Sequence, residues 1–122
     1  SGLPVVLVAG LALFYPDAWI AEHPAEAGSV MPAPASPEAM RHHLDAVAVR
    51  DGPALSAITV PTLVVHGDED QLAVPENAEL LAQGMTDARL VMLTAARHAY
   101  WVGNPDAHRQ VRAFLAEHDP TA

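Results

Sequence analysis

The sequence predicts an α/β protein, in which parallel strands alternate with helices and form part of a three-layer α/β/α sandwich. Three apolar runs, at residues 4–9, 62–66 and 89–94, are rich in aliphatic side chains, many of them β-branched, and show no polar alternation. Strands of this type are buried on both faces, as in parallel sheets that helices cover. Helical patterns lie between and after these runs, and such alternation is typical of parallel pairing through right-handed crossovers.

The composition excludes several classes of function. The 122 residues carry a net charge of −9 with histidine neutral, and all six permanently cationic side chains are arginines, so no nucleic-acid partner is expected. The absence of lysine excludes a phosphate loop ending in Gly-Lys-Ser/Thr, a Schiff base and a lysine general base, since each needs an amine. The absence of cysteine excludes disulfides, thiolate nucleophiles within the chain and cysteine-bound zinc. We expect no cofactor and no metal.

The first predicted strand lies in a core-strand region at residues 1–10, at the very start of the sequence. Its apolar stretch is only about a dozen residues long and contains Pro4 and Gly10, which favours a core strand over a membrane anchor or signal peptide. We therefore expect a cytoplasmic protein without membrane contacts. A doubly buried strand needs neighbours on both edges, so the pattern predicts a carboxyl-terminal fragment whose exposed sheet edge permits self-association.

Residues 11–54 are predicted to form a lid or cap segment with one helix. The part before Ser36 is rich in proline and small residues, and its aromatic side chains cluster at the start. Long irregular segments in compact domains are often lids over binding sites, and a disordered insertion is the alternative. Ser36, Pro37 and Glu38 then predict a helix start, with the helix running to about Arg50.

Residues 55–122 are predicted to form the carboxyl-terminal part of the α/β core, as one incomplete domain with the preceding segments. Pro61 can open the central strand and Gly67 ends it, so three acids at residues 68–70 lie on a loop beyond the carboxyl end of the strand. Open α/β sheets place their chemistry at this edge. A helix from Pro75 to Gln83 is expected next.

A histidine follows the next strand. The run at residues 89–94 leads into a loop that contains His98, and Asn104 starts the last helix. Because adjacent parallel strands bring their carboxyl-end loops side by side, we expect Asp70 to form a hydrogen bond with His98. A histidine that acts as a general base needs such a carboxylate, which holds one tautomer and stabilises the cation. The two residues are therefore candidates for part of a catalytic triad.

Several stretches, in their order along the chain, resemble the carboxyl-terminal half of the α/β-hydrolase fold superfamily: Val60 to Asp70, Val74-Pro75, the strand at 90–93, and His98. The resemblance covers residues 55–118 and extends to residues 3–10, while the lid segment is unmatched. It implies that Asp70, the last residue of a Gly-x-x-Asp turn, is the catalytic acid and that His98 is the base. The implied function is hydrolysis of an ester, lactone or related small-molecule acyl substrate.

Two features depart from the pattern of that superfamily. Arg97 stands directly before the histidine, where most members have a small residue, often glycine. The Gly-x-Ser-x-Gly nucleophile motif is absent, and Ser29, for example, lies in the unrelated frame Ala-Gly-Ser-Val-Met. The nucleophile, whether Ser, Asp or Cys, is therefore expected upstream of this chain, and the chain alone is expected to be inactive.

Aromatic side chains near the two loops are candidates for substrate binding. These are Phe14, Tyr100 and Trp101, although Tyr100 and Trp101 fit packing beneath the last helix equally well. Among the other polar residues, Asp68 and Glu69 are expected to be solvated turn acids rather than metal ligands.

Three other histidines, His66, His42 and His43, are expected to have no catalytic role. His66 is predicted to point into the sheet as a hydrogen-bonded core residue. His42 and His43 are scattered around one helix with Asp45, which does not favour a zinc site.

Three other functions are compatible with parts of the pattern. A haloacid-dehalogenase-type phosphatase would use two acids of the loop, but Gly67 separates them from the strand and the usual lysine is absent. A non-catalytic hydrolase-like module that binds a ligand or a partner is the second. A dehalogenase or epoxide hydrolase on the same fold, with an aspartate nucleophile, is the third.

Overall fold

The computed structural model describes residues 11–29, 36–48, 52 and 54–121. Its elements in chain order are α1 (Asp17–Glu22), α2 (Pro24–Ser29), α3 (Pro37–Ala48), a short 3-10 helix (Leu55–Ala57), β1 (Thr62–Gly67), α4 (Pro75–Gly84), β2 (Ala88–Leu93) and α5 (Pro105–Glu117). The strand predicted at residues 4–9 lies outside the described residues. The order strand, helix, strand, helix in the second half is the predicted one.

The two described strands form a parallel pair. Thr62 lies opposite Ala88 at one end of the register, and Gly67 lies opposite Leu93 at the other. Helix α4 connects the strands, as a parallel pair requires. Only the last residue of each strand is fully buried, whereas the sequence predicts strands buried along their whole length. The described sheet has two strands, so fewer neighbours cover each residue than in a wide sheet.

The segment before α3 contains two helices where the sequence predicts an irregular connection. Helix α1 starts directly after Pro16, with Asp17 in its first turn, and α2 starts at Pro24. Proline fits the first helical turn, so these prolines begin helices rather than interrupt them. His23 adopts a non-helical backbone conformation between α1 and α2, as is favoured for a residue that precedes proline. The prediction of one helix in residues 11–54 was therefore wrong.

This helical segment packs against the loop that contains His98. Leu11, Tyr15, Ile20 and Ala27 form one buried apolar cluster with Ala99. Disorder, the alternative to a lid, therefore does not apply to residues 11–29. The packing places the start of the segment beside one of the two predicted site loops.

Helix α5 follows the second site loop and is capped at its N-terminus. The Asn104 side chain accepts hydrogen bonds from the backbone N–H groups of Asp106 and Ala107, as an N-cap residue does. Ala107 is buried against the loop, but Val111 and Leu115 further along the helix are exposed. None of the described helices is long and apolar enough to cross a bilayer.

Candidate active site

The carboxyl ends of β1 and β2 bring two loops into contact. The backbone N–H of Asp68 donates to Leu93 O at 3.0 Å, and that of Glu69 donates to Ala96 O at 3.0 Å. At Gly67 a Cβ atom would lie 2.6 Å from the Ala96 carbonyl carbon and would clash with its oxygen. Only glycine lets the strand end approach the neighbouring loop this closely. The two loops therefore form one rim, as the parallel order predicts.

Asp70 is the centre of this rim. Its Oδ1 atom accepts hydrogen bonds from the backbone N–H groups of Leu72 and Ala73, at 2.8 and 3.1 Å. Its Oδ2 atom lies 2.9 Å from Nδ1 of His98, 28 residues further along the chain. The Asp70 side chain is only 1% exposed, so these contacts replace its hydration. The predicted hydrogen bond between Asp70 and His98 is present.

The environment of Asp70 favours its ionised form. Burial alone raises the pKa of a carboxyl group, but the hydrogen bonds from His98, Ala73 and Leu72 outweigh that effect and lower the pKa of Asp70 below its usual 3.8. An ionised carboxylate can only accept hydrogen bonds, so Nδ1 of His98 carries the donated proton. The other ring nitrogen, Nε2, is then free to accept a proton, and 37% of the His98 side chain is exposed.

A second histidine contacts the acid turn. Nε2 of His66 lies 2.7 Å from the Ala73 carbonyl oxygen and 3.3 Å from Oδ2 of Asp70. Because a carbonyl can only accept, Nε2 of His66 is the donor to Ala73. The side chain is hydrogen-bonded, as predicted, but it holds the acid turn closed and is not part of a sheet interior. The spacing of four residues between His66 and Asp70 is the sequence signal from which this contact could have been predicted.

The three aromatic candidates lie in different surroundings. The Phe14 ring meets the imidazole of His98 edge-on, with ring centroids 5.7 Å apart and an interplanar angle of 75°. Tyr100 packs on the buried cluster that contains Leu93, and Trp101 contacts Tyr100 while remaining about half exposed. Of the three, the structure brings Phe14 directly to the imidazole.

An apolar cavity of about 160 Å³ lies behind the His98 loop. Its lining includes Phe14, Trp19, Tyr100 and the loop residues from Ala95 to Arg97. Trp19 stacks on Tyr15, whose burial raises the pKa of its phenol. Tyr100 thus faces the cavity that Phe14 and Trp19 share, whereas Trp101 is not part of its lining.

Arg97 is a further functional candidate. In the sequence it stood out only because most members of the superfamily have a small residue directly before the histidine. Nη1 of Arg97 lies within hydrogen-bonding distance of Ala12 O, Tyr15 O and Oδ1 of Asp17. These partners precede it by at least 80 residues, so local sequence patterns do not point to them.

The acids expected to be solvated are on the surface. Asp68 and Glu69 are exposed, and so are His42 and His43 on α3. Within residues 11–29, 36–48, 52 and 54–121, no group of three or more His, Asp or Glu side chains is arranged to hold a metal ion.

Two solved structures with a similar fold are described as lactone-degrading enzymes. The enol-lactonase from Burkholderia xenovorans LB400 superimposes with a TM-score of 0.73 over 92% of this chain and 44% of its own, at 24% identity. Est816, described as an N-acyl homoserine lactone degrading enzyme, gives a TM-score of 0.62 over 89% of this chain and 47% of its own, also at 24% identity. The fold is that of the α/β-hydrolases.

Two curated relatives have a higher sequence identity to this chain than the solved structures do. A pimeloyl-[acyl-carrier protein] methyl ester esterase from Nitrosospira multiformis is 37% identical over 71 residues, which are 57% of this chain and 27% of the esterase. The putative carbamate hydrolase RutD from Azorhizobium caulinodans is 32% identical over 115 residues, which are 88% of this chain and 43% of that protein. No protein-family model matches the chain. These relatives and the fold together point to the α/β-hydrolase superfamily, and the chain spans less than half the length of either relative.

Proposed function

We propose that this chain supplies the acid and the base of an α/β-hydrolase that cleaves an ester, lactone or related acyl compound. The observation that carries the proposal is the 2.9 Å contact between Oδ2 of the buried Asp70 and Nδ1 of His98. This arrangement orients an imidazole so that its Nε2 atom takes a proton from a nucleophile. The chain has no Gly-x-Ser-x-Gly motif, so in this proposal the nucleophile comes from outside residues 1–122.

The chemical steps follow from the roles of the two side chains. Nε2 of His98 removes the proton of the nucleophile as its oxygen bonds to the acyl carbon, and Asp70 stabilises the resulting imidazolium. The imidazolium then gives this proton to the leaving oxygen as the bond from the acyl carbon to that oxygen breaks. In the second half, water loses a proton to Nε2 of His98 as its oxygen bonds to the acyl carbon. The imidazolium returns this proton to the oxygen of the nucleophile as the bond from the acyl carbon to that oxygen breaks, which releases the acid and restores the nucleophile.

The substrate class in this proposal rests on what the relatives and structural neighbours share. Their names describe an esterase, a carbamate hydrolase and lactone-degrading enzymes, and each of these bonds has a carbonyl carbon with a heteroatom leaving group. Phe14, at the edge of the His98 ring, would form an apolar wall for the acyl group. Acyl transfer is therefore favoured over dehalogenation or epoxide opening on the same fold.

The decisive experiment replaces His98 in the complete protein that contains these residues. We expect His98→Gln to lower kcat for a p-nitrophenyl ester on the order of 10³-fold, because the general base is lost. His43→Gln is the matched control, since His43 is exposed on α3, and it should leave kcat unchanged.

Labelling with a fluorophosphonate probe locates the nucleophile. The complete protein should react at a serine outside residues 1–122, and the isolated chain should not react. Full activity of His98→Gln, or a covalent intermediate on an aspartate, would contradict the acyl-transfer proposal.

A further inference from the structure

Arg97 connects the histidine loop to the segment that carries Phe14. Its side chain is 18% exposed, and Nη1 donates to Ala12 O at 2.6 Å, to Tyr15 O at 3.1 Å and to Oδ1 of Asp17 at 3.1 Å. Two of these acceptors are main-chain carbonyls, which need a donor wherever water is excluded. A guanidinium can serve several acceptors at once because its donors are fixed in one plane.

Two backbone hydrogen bonds, to Leu13 and to Phe14 itself, continue the same connection. The N–H of His98 donates to Leu13 O at 3.4 Å, and the N–H of Ala99 donates to Phe14 O at 3.0 Å. The side chain of Arg97 and the next two backbone N–H groups therefore hold one turn of chain. Phe14 is the residue of that turn whose ring lies against His98.

The same guanidinium also lies close to the acid turn. Nε of Arg97 is 3.9 Å from Oε2 of Glu69, and Glu69 N bonds to Ala96 O in the same loop. Nε is buried without a hydrogen-bond partner among the described residues. The long distance gives a weak attraction, so the short bonds to the Phe14 turn determine where the guanidinium lies.

We propose that Arg97 is a positioning residue: it fastens the turn of residues 12–17 to the histidine loop and so keeps Phe14 against the imidazole of His98. The functional consequence rests on the proposed function, in which Phe14 is the apolar wall of the acyl site. Without the guanidinium the turn keeps its backbone bonds and its apolar packing against Ala99 but loses the side-chain bonds at Ala12, Tyr15 and Asp17, so Phe14 moves more freely. Arg97 then determines how well the acyl group is held and acts on binding through Phe14, not on proton transfer.

The first test is structural and needs no activity. In Arg97→Met, NMR should show loss of the ring-current shift that Phe14 and His98 impose on each other, with faster exchange of the Ala99 amide. The Asp68 amide, bonded to Leu93 on the other side of the rim, should exchange as before. Arg97→Lys, whose ammonium has three donors, should keep the shift. Asp17→Asn should also keep it, because the two carbonyl contacts remain.

The second test uses kinetics of the complete protein. Arg97→Met should raise KM for a long-chain acyl ester by about tenfold with little change in kcat, as expected when a partly buried charge-assisted hydrogen bond that supports binding is lost. In a Phe14→Ala background the same substitution should raise KM little further, since both changes act on the same wall of the acyl site. Additive effects on KM, or a large fall in kcat alone, would overturn the proposal.

The two tests separate this inference from the proposed function. A complete protein with no esterase activity rejects the proposed function, while the NMR result still decides whether Arg97 positions Phe14. An unchanged Phe14 shift and Ala99 exchange in Arg97→Met reject the positioning role even if the protein is a hydrolase. If Arg97→Met does not fold, Arg97→Gln is compared with Arg97→Lys, and equal spectra of these two variants reject the role.

Discussion

At the scale of single residues, Asp70 determines the arrangement of the site. One buried carboxylate accepts hydrogen bonds from two backbone N–H groups and from His98, and it also lies close to His66. These donors replace water around the charge, which is the condition under which a buried carboxylate stays ionised. The site thus depends on the charge of Asp70 as well as on its position.

We expect Asp70→Asn to destabilise the fold by about 1 to 3 kcal/mol near neutral pH, because a charge-assisted hydrogen bond is lost in a buried place. The pKa of Asp70 is lowered in the folded state, so its stabilisation is fully present above its usual pKa of 3.8 and is lost as the pH falls through the lower, folded value. Urea unfolding of both proteins as a function of pH measures this.

The control for that experiment is a substitution at a neighbouring, exposed acid. Asp68→Asn, at an exposed acid of the same turn, should change neither the stability nor its acid dependence by much. If the difference in stability between the original protein and Asp70→Asn stayed constant down to about pH 2, the assignment of the lowered pKa would be wrong.

At the scale of elements, the parallel pair β1 and β2 positions both site loops. Their register places Gly67 opposite Leu93, so each strand ends at the same level and its loop begins there. The close approach at Gly67 then lets the acid turn hydrogen-bond directly to the loop of Ala96. The distance between the acid and the base is therefore set by backbone packing.

Gly67→Ala should disrupt this packing. The added Cβ would overlap backbone atoms of Ala96 and lie 2.8 Å from Arg97 O, and backbone cannot move aside as a flexible side chain does. We expect a loss of stability of about 2 kcal/mol or more and a weaker bond between Asp70 and His98. Denaturant unfolding and the NMR signal of the His98 Nδ1 proton measure the two effects.

Gly28→Ala is the matched control for that substitution. Gly28 lies in α2, and a Cβ there would meet no atom within 4 Å. Alanine is preferred to glycine in a helix, so stability should stay equal or rise by up to about 1 kcal/mol. Similar losses in Gly28→Ala and Gly67→Ala would show that the close approach at Gly67 is not the cause.

At the scale of the whole molecule, apolar side chains remain exposed on several helices. They include Met40 and Leu44 on α3, Leu80 and Leu81 on α4, and Val111 and Leu115 on α5. Exposed apolar surface of this kind favours association, while the net charge of −9 opposes it through repulsion between copies.

We therefore expect the isolated chain to self-associate more strongly as salt is added. Raising the salt from about 20 mM to about 500 mM shortens the range of the repulsion and leaves the apolar attraction in place. Sedimentation velocity at several protein concentrations measures this. Leu115→Glu should reduce the association, and a monodisperse monomer at every salt concentration would contradict the prediction.

The sequence by itself determined the features that depend on short-range pattern. The strands at 62–67 and 88–93, the helices that follow them and the pairing of Asp70 with His98 follow from apolar runs, glycine and proline positions, and the shared edge of parallel strands. The prediction of an irregular connection before Ser36 was wrong, because a proline can begin a short helix as well as interrupt one.

The tertiary structure alone decided which distant residues complete the site. Arg97 bonds to Ala12, Tyr15 and Asp17, and Phe14 meets His98, across 80 or more residues of chain. No periodicity in the sequence encodes such contacts, because they depend on how one helical segment packs against a loop. Physically, helix starts and strand ends reflect local backbone preferences, whereas these side-chain partners are selected by the packing of Leu11, Tyr15 and Ala99 in one buried cluster.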